Sequence, residues 1–154
     1  MLFLLTILAC GGAEPAATPK PAVTSAAPAA AAKPAAAPAE VVGPDGPSAI
    51  VVPAIATLPS DEAALAAGKA AWEARGCGGC HKFGEKLVGP DLNGVLTRRS
   101  IPWAERMILF PDLMTKQDPE AKKLFASLMV QMPKQGVTET EIGPLLAYIH
   151  SQGG

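Results

Sequence analysis

The chain has 154 residues, with 13 basic against 14 acidic side chains and a formal net charge of −1, so charge points to neither nucleic acid nor an acidic polymer as partner. Its hydrophobic fraction of 49% is inflated by alanine, and with only 5% aromatic residues the packable core is small. Three cysteines do not make a closed disulfide framework, because an odd count leaves one thiol over.

The chain opens on an apolar run, Met1 to Ala9, too short to cross a bilayer as a helix but suited to the core of a signal peptide. Ile7-Leu8-Ala9-Cys10 resembles a bacterial lipobox, a motif cut before its cysteine, whose thiol and new amino terminus are then acylated. The resemblance implies residues 1–9 as a lipoprotein signal and Cys10 as a lipid anchor, with the protein exported to the periplasmic side of a bacterial membrane. No Lys or Arg precedes the run, and a plain signal peptide is the alternative. Behind Cys10, Ala and Pro dominate to residue 59, as at Pro15, Pro19, Pro21, Pro28, Pro34 and Pro38. Recurrent proline blocks helix and favours extended polyproline II at roughly 3.1 Å per residue, so residues 10–59 are expected to form a disordered linker reaching on the order of 100 Å. Within it, Val41-Val42 and Ile50-Val51-Val52 are apolar enough to dock on a domain or a partner, although nearby Pro and Gly argue against a stable strand.

Residues 60–154 read as one all-α domain. Ser60 is a good N-cap, Asp61 and Glu62 put negative charge in the first turn, and Leu65, Gly68 and Trp72 recur at helical spacing. A second helix should start at Ser100, carry Trp103, Met107 and Phe110 on one side, and stop at Pro111. A third is signalled by Asp118 as cap with Pro119 at the first helical position, followed by Leu124 and Leu128. The last is announced by the capping box Thr138-Glu139-Thr140-Glu141 and carries Ile142, Leu145, Leu146 and Ile149, with a kink or a fresh start expected at Pro144. Gly94, Pro111 and Pro133 punctuate the loops, and strand signals are absent.

Cys77-Gly78-Gly79-Cys80-His81 is the C-x-x-C-H pattern of c-type haem attachment. Two thiols one turn apart can add across the two vinyl groups of a haem, while the adjacent imidazole is brought beneath the iron. Glycine at both intervening positions lets the backbone lie against the macrocycle. A thioredoxin-like redox pair would need a βαβ setting that is missing, and a zinc site would need four ligands when the chain has only two histidines and Cys10 is expected to be acylated.

With these residues in view, the chain resembles the class I cytochrome c family from about Gly68 to its end. Gly68-Lys69-Ala70-Ala71-Trp72 is similar to the family's glycine-plus-aromatic signature, and Ala147-Tyr148-Ile149 to that of its last helix. The resemblance implies the cytochrome c fold, a small helical domain wrapped around one covalently bound haem c, with its first and last helices crossing at the glycine. Gly89-Pro90-Asp91-Leu92 looks like the loop whose proline carbonyl accepts a hydrogen bond from the proximal imidazole, which would orient His81. Met132-Pro133 stands where the family has its distal ligand, and proline biases Met132 towards extended backbone that can turn its thioether inward. Met129 is the next candidate, Met107 and Met114 suit packing, and His150 suits the surface. Arg98, Arg99 and Trp103 fall where members of the family contact haem propionates, although a solvated Arg pair and a core Trp would look the same.

The resemblance implies single-electron transfer between redox proteins at a membrane, with no enzymatic reaction, small-molecule substrate or nucleic acid. A haem sensor or small haem enzyme with an opened sixth site is the alternative, as is an electron-entry subunit of a larger oxidoreductase. Lys82, Lys86 and Lys134 flank the expected haem edge, but residues 60–152 hold 11 basic and 11 acidic side chains, so any steering has to come from local clustering.

Overall fold

The computed structural model describes residues 42–153. The apolar Met1–Ala9 run, the expected lipidation site Cys10 and the Ala/Pro-rich stretch through residue 41 lie outside the described residues. Six helices follow in order: α1 Glu62–Ala74, α2 Val95–Arg98, α3 Ile101–Leu109, α4 Pro111–Gln117, α5 Pro119–Leu128 and α6 Glu139–Gly153. Among the described residues there is no strand, only an isolated bridge between Gly43 and Gly46, and no helix is long and apolar enough to cross a membrane.

The caps are legible in the sequence, one residue displaced at α1. Asp61, rather than Ser60, caps that helix, its Oδ1 accepting from Ala64 N at 2.9 Å. Ser100 accepts from Trp103 N at the start of α3, and Asp118 from Ala121 N at the start of α5. Pro111 does not simply stop α3. It opens α4 at a position where its missing N–H costs nothing. Thr138 and Glu141 close the expected box, the Glu141 Oε2 accepting from Thr138 N at 2.8 Å. At Pro144 the structure differs from expectation, since α6 runs continuously from Glu139 to Gly153. The carbonyl deprived of its donor is that of Thr140, which is exposed and open to water.

α1 and α6 form the main helix pair. They meet at Gly68, where an added Cβ would overlap the Pro144 carbonyl oxygen and lie 2.7 Å from Tyr148 Cβ. Only a glycine lets the backbones approach this closely. Arg75, capping the C-terminal end of α1, donates from its guanidinium to both carboxylate oxygens of Glu141 at 2.9 and 2.8 Å. Held also by the Thr138 amide, the Glu141 carboxyl drops to about 2. One core cluster gathers Ala71, Ala104, Leu109, Ile142, Leu145, Leu146 and Ile149 between these helices and α3. A second joins Trp103, Met114 and Ala121 to Ile50.

Ile50 belongs to the stretch expected to be linker, and its burial moves the start of the packed unit upstream of residue 60. Residues 43–58 form a strap across the helices. Pro47 and Ile50 are buried, and Val52, Ile55 and Leu58 pack on the main core. Arg106 of α3 clasps the strap, Nε donating to the Ile50 carbonyl at 2.7 Å and a terminal nitrogen to that of Asp45 at 2.6 Å. The prolines that forbid a strand do not forbid burial, because the strap turns on its own backbone bonds, Gly46 N to the Gly43 carbonyl and Ile50 N to that of Pro47, while Arg106 takes the carbonyls of Asp45 and Ile50.

Candidate haem site

Beyond α1 and its cap Arg75, Gly76 takes the left-handed conformation (φ 68°) and turns the chain into a 3₁₀ turn at Cys77–Gly79. Cys80 N and His81 N both donate to the Cys77 carbonyl, at 3.2 and 3.0 Å, so the turn winds the two thiols and the imidazole tightly together. Burial pushes the Cys77 thiol up, partly offset by its backbone hydrogen bond and by the charge of Arg75.

His81 Nδ1 lies 2.9 Å from the Pro90 carbonyl oxygen. That oxygen can only accept, so Nδ1 carries the hydrogen and Nε2 keeps a lone pair for a metal. Gly89 makes room for the ring, because a Cβ there would come within 2.5 to 3.0 Å of three imidazole atoms. Asp91 pins the loop, its Oδ1 accepting from Gly84 N at 2.7 Å and Asn93 N at 2.8 Å, and these bonds, led by that of Asn93, hold its carboxyl below the usual range. Neither Gly89 nor Asp91 was assigned a role from sequence. A loop glycine and a turn aspartate carry no signal of what they face.

Cys77, Cys80, His81, Pro90, Leu92, Arg98, Trp103 and Met132 all border one cavity of about 290 Å³. Its walls are overwhelmingly apolar, with Leu145, Leu146 and Ile149 of α6 and Ile108 of α3 at the back. Two thiols, one imidazole with a free ring nitrogen and a thioether on an apolar cavity form a donor set that fits a covalently held haem. Among the described residues no three His, Cys, Asp or Glu side chains converge as a zinc cage needs.

The match to the cytochrome c family model spans residues 65–153, more than half of the chain. The chain belongs to the cytochrome c family. Its cofactor is a covalently bound haem c, and Cys77 and Cys80 stand at the spacing of the attachment motif. The fold is also that of the cytochrome c from Rhodothermus marinus, at 24% identity and a TM-score of 0.60, covering 72% of this chain and 93% of the other. An engineered form of that cytochrome aligns at 23% identity and 0.59, covering 70% and 95%. A structure of the engineered form bound to a carbene intermediate aligns at 24% and 0.57, with the same coverage. No curated protein sequence matches the chain.

Around this family site the methionines separate. Met132 is half-buried and lines the cavity, whereas Met129 is 78% exposed, does not border it and holds a left-handed backbone (φ 55°) as the C-cap of α5. Met107 also borders the cavity but packs with Trp103 and Ile50, and Met114 is wholly buried in that cluster. His150 is exposed and away from the cavity. Gln131, another residue missed from sequence, anchors the Met132 segment, its side-chain nitrogen donating to the Pro111 carbonyl at 3.3 Å and its oxygen accepting from Thr115 at 2.9 Å.

The expected propionate contacts divide in the same way. Trp103 borders the cavity, but its indole N–H is committed to Asp118 Oδ1 at 3.1 Å, so it is not free for a propionate. The guanidinium of Arg98 donates to the Asn93 carbonyl at 2.6 Å, and Arg99 pairs with Glu120 at 2.8 Å while lying over the Trp103 ring. Lysine clustering at the rim is also weaker than expected. Lys82 pairs with Glu85 at 3.0 Å and Lys134 lies over Phe110, while exposed Val88, Phe125 and Val130 border the cavity.

Proposed function

We propose that this cytochrome c carries single electrons between redox proteins, with His81 and Met132 as axial ligands and the lipid on Cys10 as a tether to the periplasmic side of a membrane. The supporting observation is the convergence of Cys77, Cys80, His81 and Met132 on one apolar cavity. Bound haem c supplies a one-electron Fe(III)/Fe(II) couple. The chain's residues do the rest. Cys77 and Cys80 fix the cofactor by thioether bonds, and the Pro90 carbonyl orients His81 and raises its basicity. Met132, on a segment anchored by Gln131, would supply the second protein ligand to the iron, and the apolar walls would keep water from it. Electrons pass at the mouth, where Val88, Phe125 and Val130 offer a partner an apolar rim. A lipid tether concentrates the domain near partners in the same membrane.

Absorption spectra of the matured protein, oxidised, reduced and reduced under carbon monoxide, test the assignment. A methionine-to-ferric-iron charge-transfer band and a reduced spectrum unmoved by carbon monoxide are expected, with both features lost in Met132→Ala and kept in Met129→Ala. Ready carbon monoxide binding by the wild type would favour the sensor or enzyme alternative instead.

A further inference from the structure

Glu105 lies in α3 with none of its surface exposed, and neither carboxylate oxygen has a hydrogen-bond partner. A carboxylate so placed is costly to ionise, and burial pushes its pKa up against the lowering field of neighbouring Arg106. The Arg106 guanidinium does not bond to it, being spent on the strap carbonyls of Ile50 and Asp45. Other charged groups on the elements packed against α3 are engaged or turned to solvent. Asp45 of the strap, Asp112 and Lys116 of α4, and Glu139 and His150 of α6 are exposed, Glu141 is paired with Arg75, Asp118 accepts from Trp103, and Lys134 lies over Phe110.

The helix that buries this carboxyl is also a wall of the haem cavity, through Trp103, Ala104, Met107 and Ile108. In a dry interior an added unit charge acts over longer range than in water and is little screened by salt. Leu109, one turn further along α3 from Glu105, borders a second cavity of about 210 Å³ between the strap and residues 134–139.

Building on the electron-carrier proposal, we propose that Glu105 is a redox-linked proton site, taking one proton from solvent as one electron enters from the reducing partner and releasing it on oxidation. The balance is one electron to the iron and one proton to the carboxylate, which becomes COOH, so the interior gains no net charge. The two oxidation states then differ in their affinity for that proton, and by linkage the potential depends on pH.

The test is voltammetry of the haem-loaded full chain across pH, alongside Glu105→Gln. In the wild type the potential should fall with rising pH over a segment above the ordinary glutamate range, bounded by a lower pKa in the oxidised and a higher one in the reduced protein. That segment should be flat in Glu105→Gln, which cannot titrate, while any slope due to propionates remains in both. Redox-difference infrared spectra of the wild type give a readout independent of the variant, since reduction should produce a protonated-carboxyl band that shifts in deuterium oxide. Superimposable potential profiles in the two proteins, or no such band, would overturn the proton coupling while leaving electron transfer intact. Absence of any reversible one-electron wave would remove the electron-carrier proposal and the coupling with it.

Discussion

Replacing Gly89 by alanine tests how the proximal side of the site is held. The new Cβ would lie 2.5 Å from His81 Cε1, 2.8 Å from Nδ1 and 3.0 Å from Nε2. Ordinary carbon contacts fall near 3.5–4.0 Å, so the imidazole has to retreat by roughly 1 Å or the loop has to open. Either movement stretches the 2.9 Å bond from Nδ1 to the Pro90 carbonyl. Its loss removes about 0.5–1.5 kcal/mol, and overpacking costs about 1–3 kcal/mol. The holoprotein is therefore expected to lose about 1.5–4.5 kcal/mol of unfolding free energy in guanidinium. The potential should rise at the same time, because an imidazole that no longer donates to Pro90 is a poorer donor to Fe(III). Gly43→Ala is the control, since a Cβ there meets nothing within 4 Å. Equal stabilities for Gly89→Ala and Gly43→Ala, with an unshifted potential, would refute the idea that Gly89 exists to admit the ring.

At the helix crossing, Gly68→Ala should gain about 1 kcal/mol of helix propensity yet lose more by overlapping Pro144, for a net destabilisation of about 1–3 kcal/mol by thermal or denaturant unfolding. Met129→Gly should leave the absorption spectrum unchanged and stabilise the protein by about 0.5–1 kcal/mol, because glycine relieves the positive φ and an exposed side chain is lost at little cost. Glu141 should govern acid stability. Its folded value of about 2 lies below the ordinary 4.5, so the unfolded chain binds more protons between them, and stability present above pH 4.5 is lost as pH falls towards 2. Unfolding midpoints measured across that range should fall less steeply in Glu141→Gln.

The site was more legible in the sequence than the packing around it. Cys77, Cys80 and His81 are readable because thioether and imidazole chemistry admits no other residue types at that spacing. Met132 was singled out through the proline behind it, a local backbone effect visible without coordinates, and it borders the cavity. Helix starts at Ser100, Asp118 and Thr138 were readable because a cap is a short-range hydrogen bond. What stayed hidden depends on distant partners. Nothing near Trp103 announces that its N–H goes to Asp118, fifteen residues on, rather than to a propionate. The Ile50-Val51-Val52 run marks a segment apolar enough to dock, but nothing in it names Trp103, Met114 and Ala121 as the residues that bury Ile50. Pro111 misled because the same residue that ends one helix is well suited to begin the next.

The clasp of Arg106 on the strap has a consequence for how this segment changes over generations. The arginine grips the oxygens of Asp45 and Ile50, which belong to the main chain and are present whatever side chain stands there. Mutation at the exposed Asp45 therefore leaves the grip untouched, while the buried Gly46, Pro47 and Ile50 and the core-packed Val52, Ile55 and Leu58 feel the shape of their surroundings. The strap is free to drift in spelling while keeping its path, whereas losing Cys77, Cys80 or His81 removes a group that holds the cofactor.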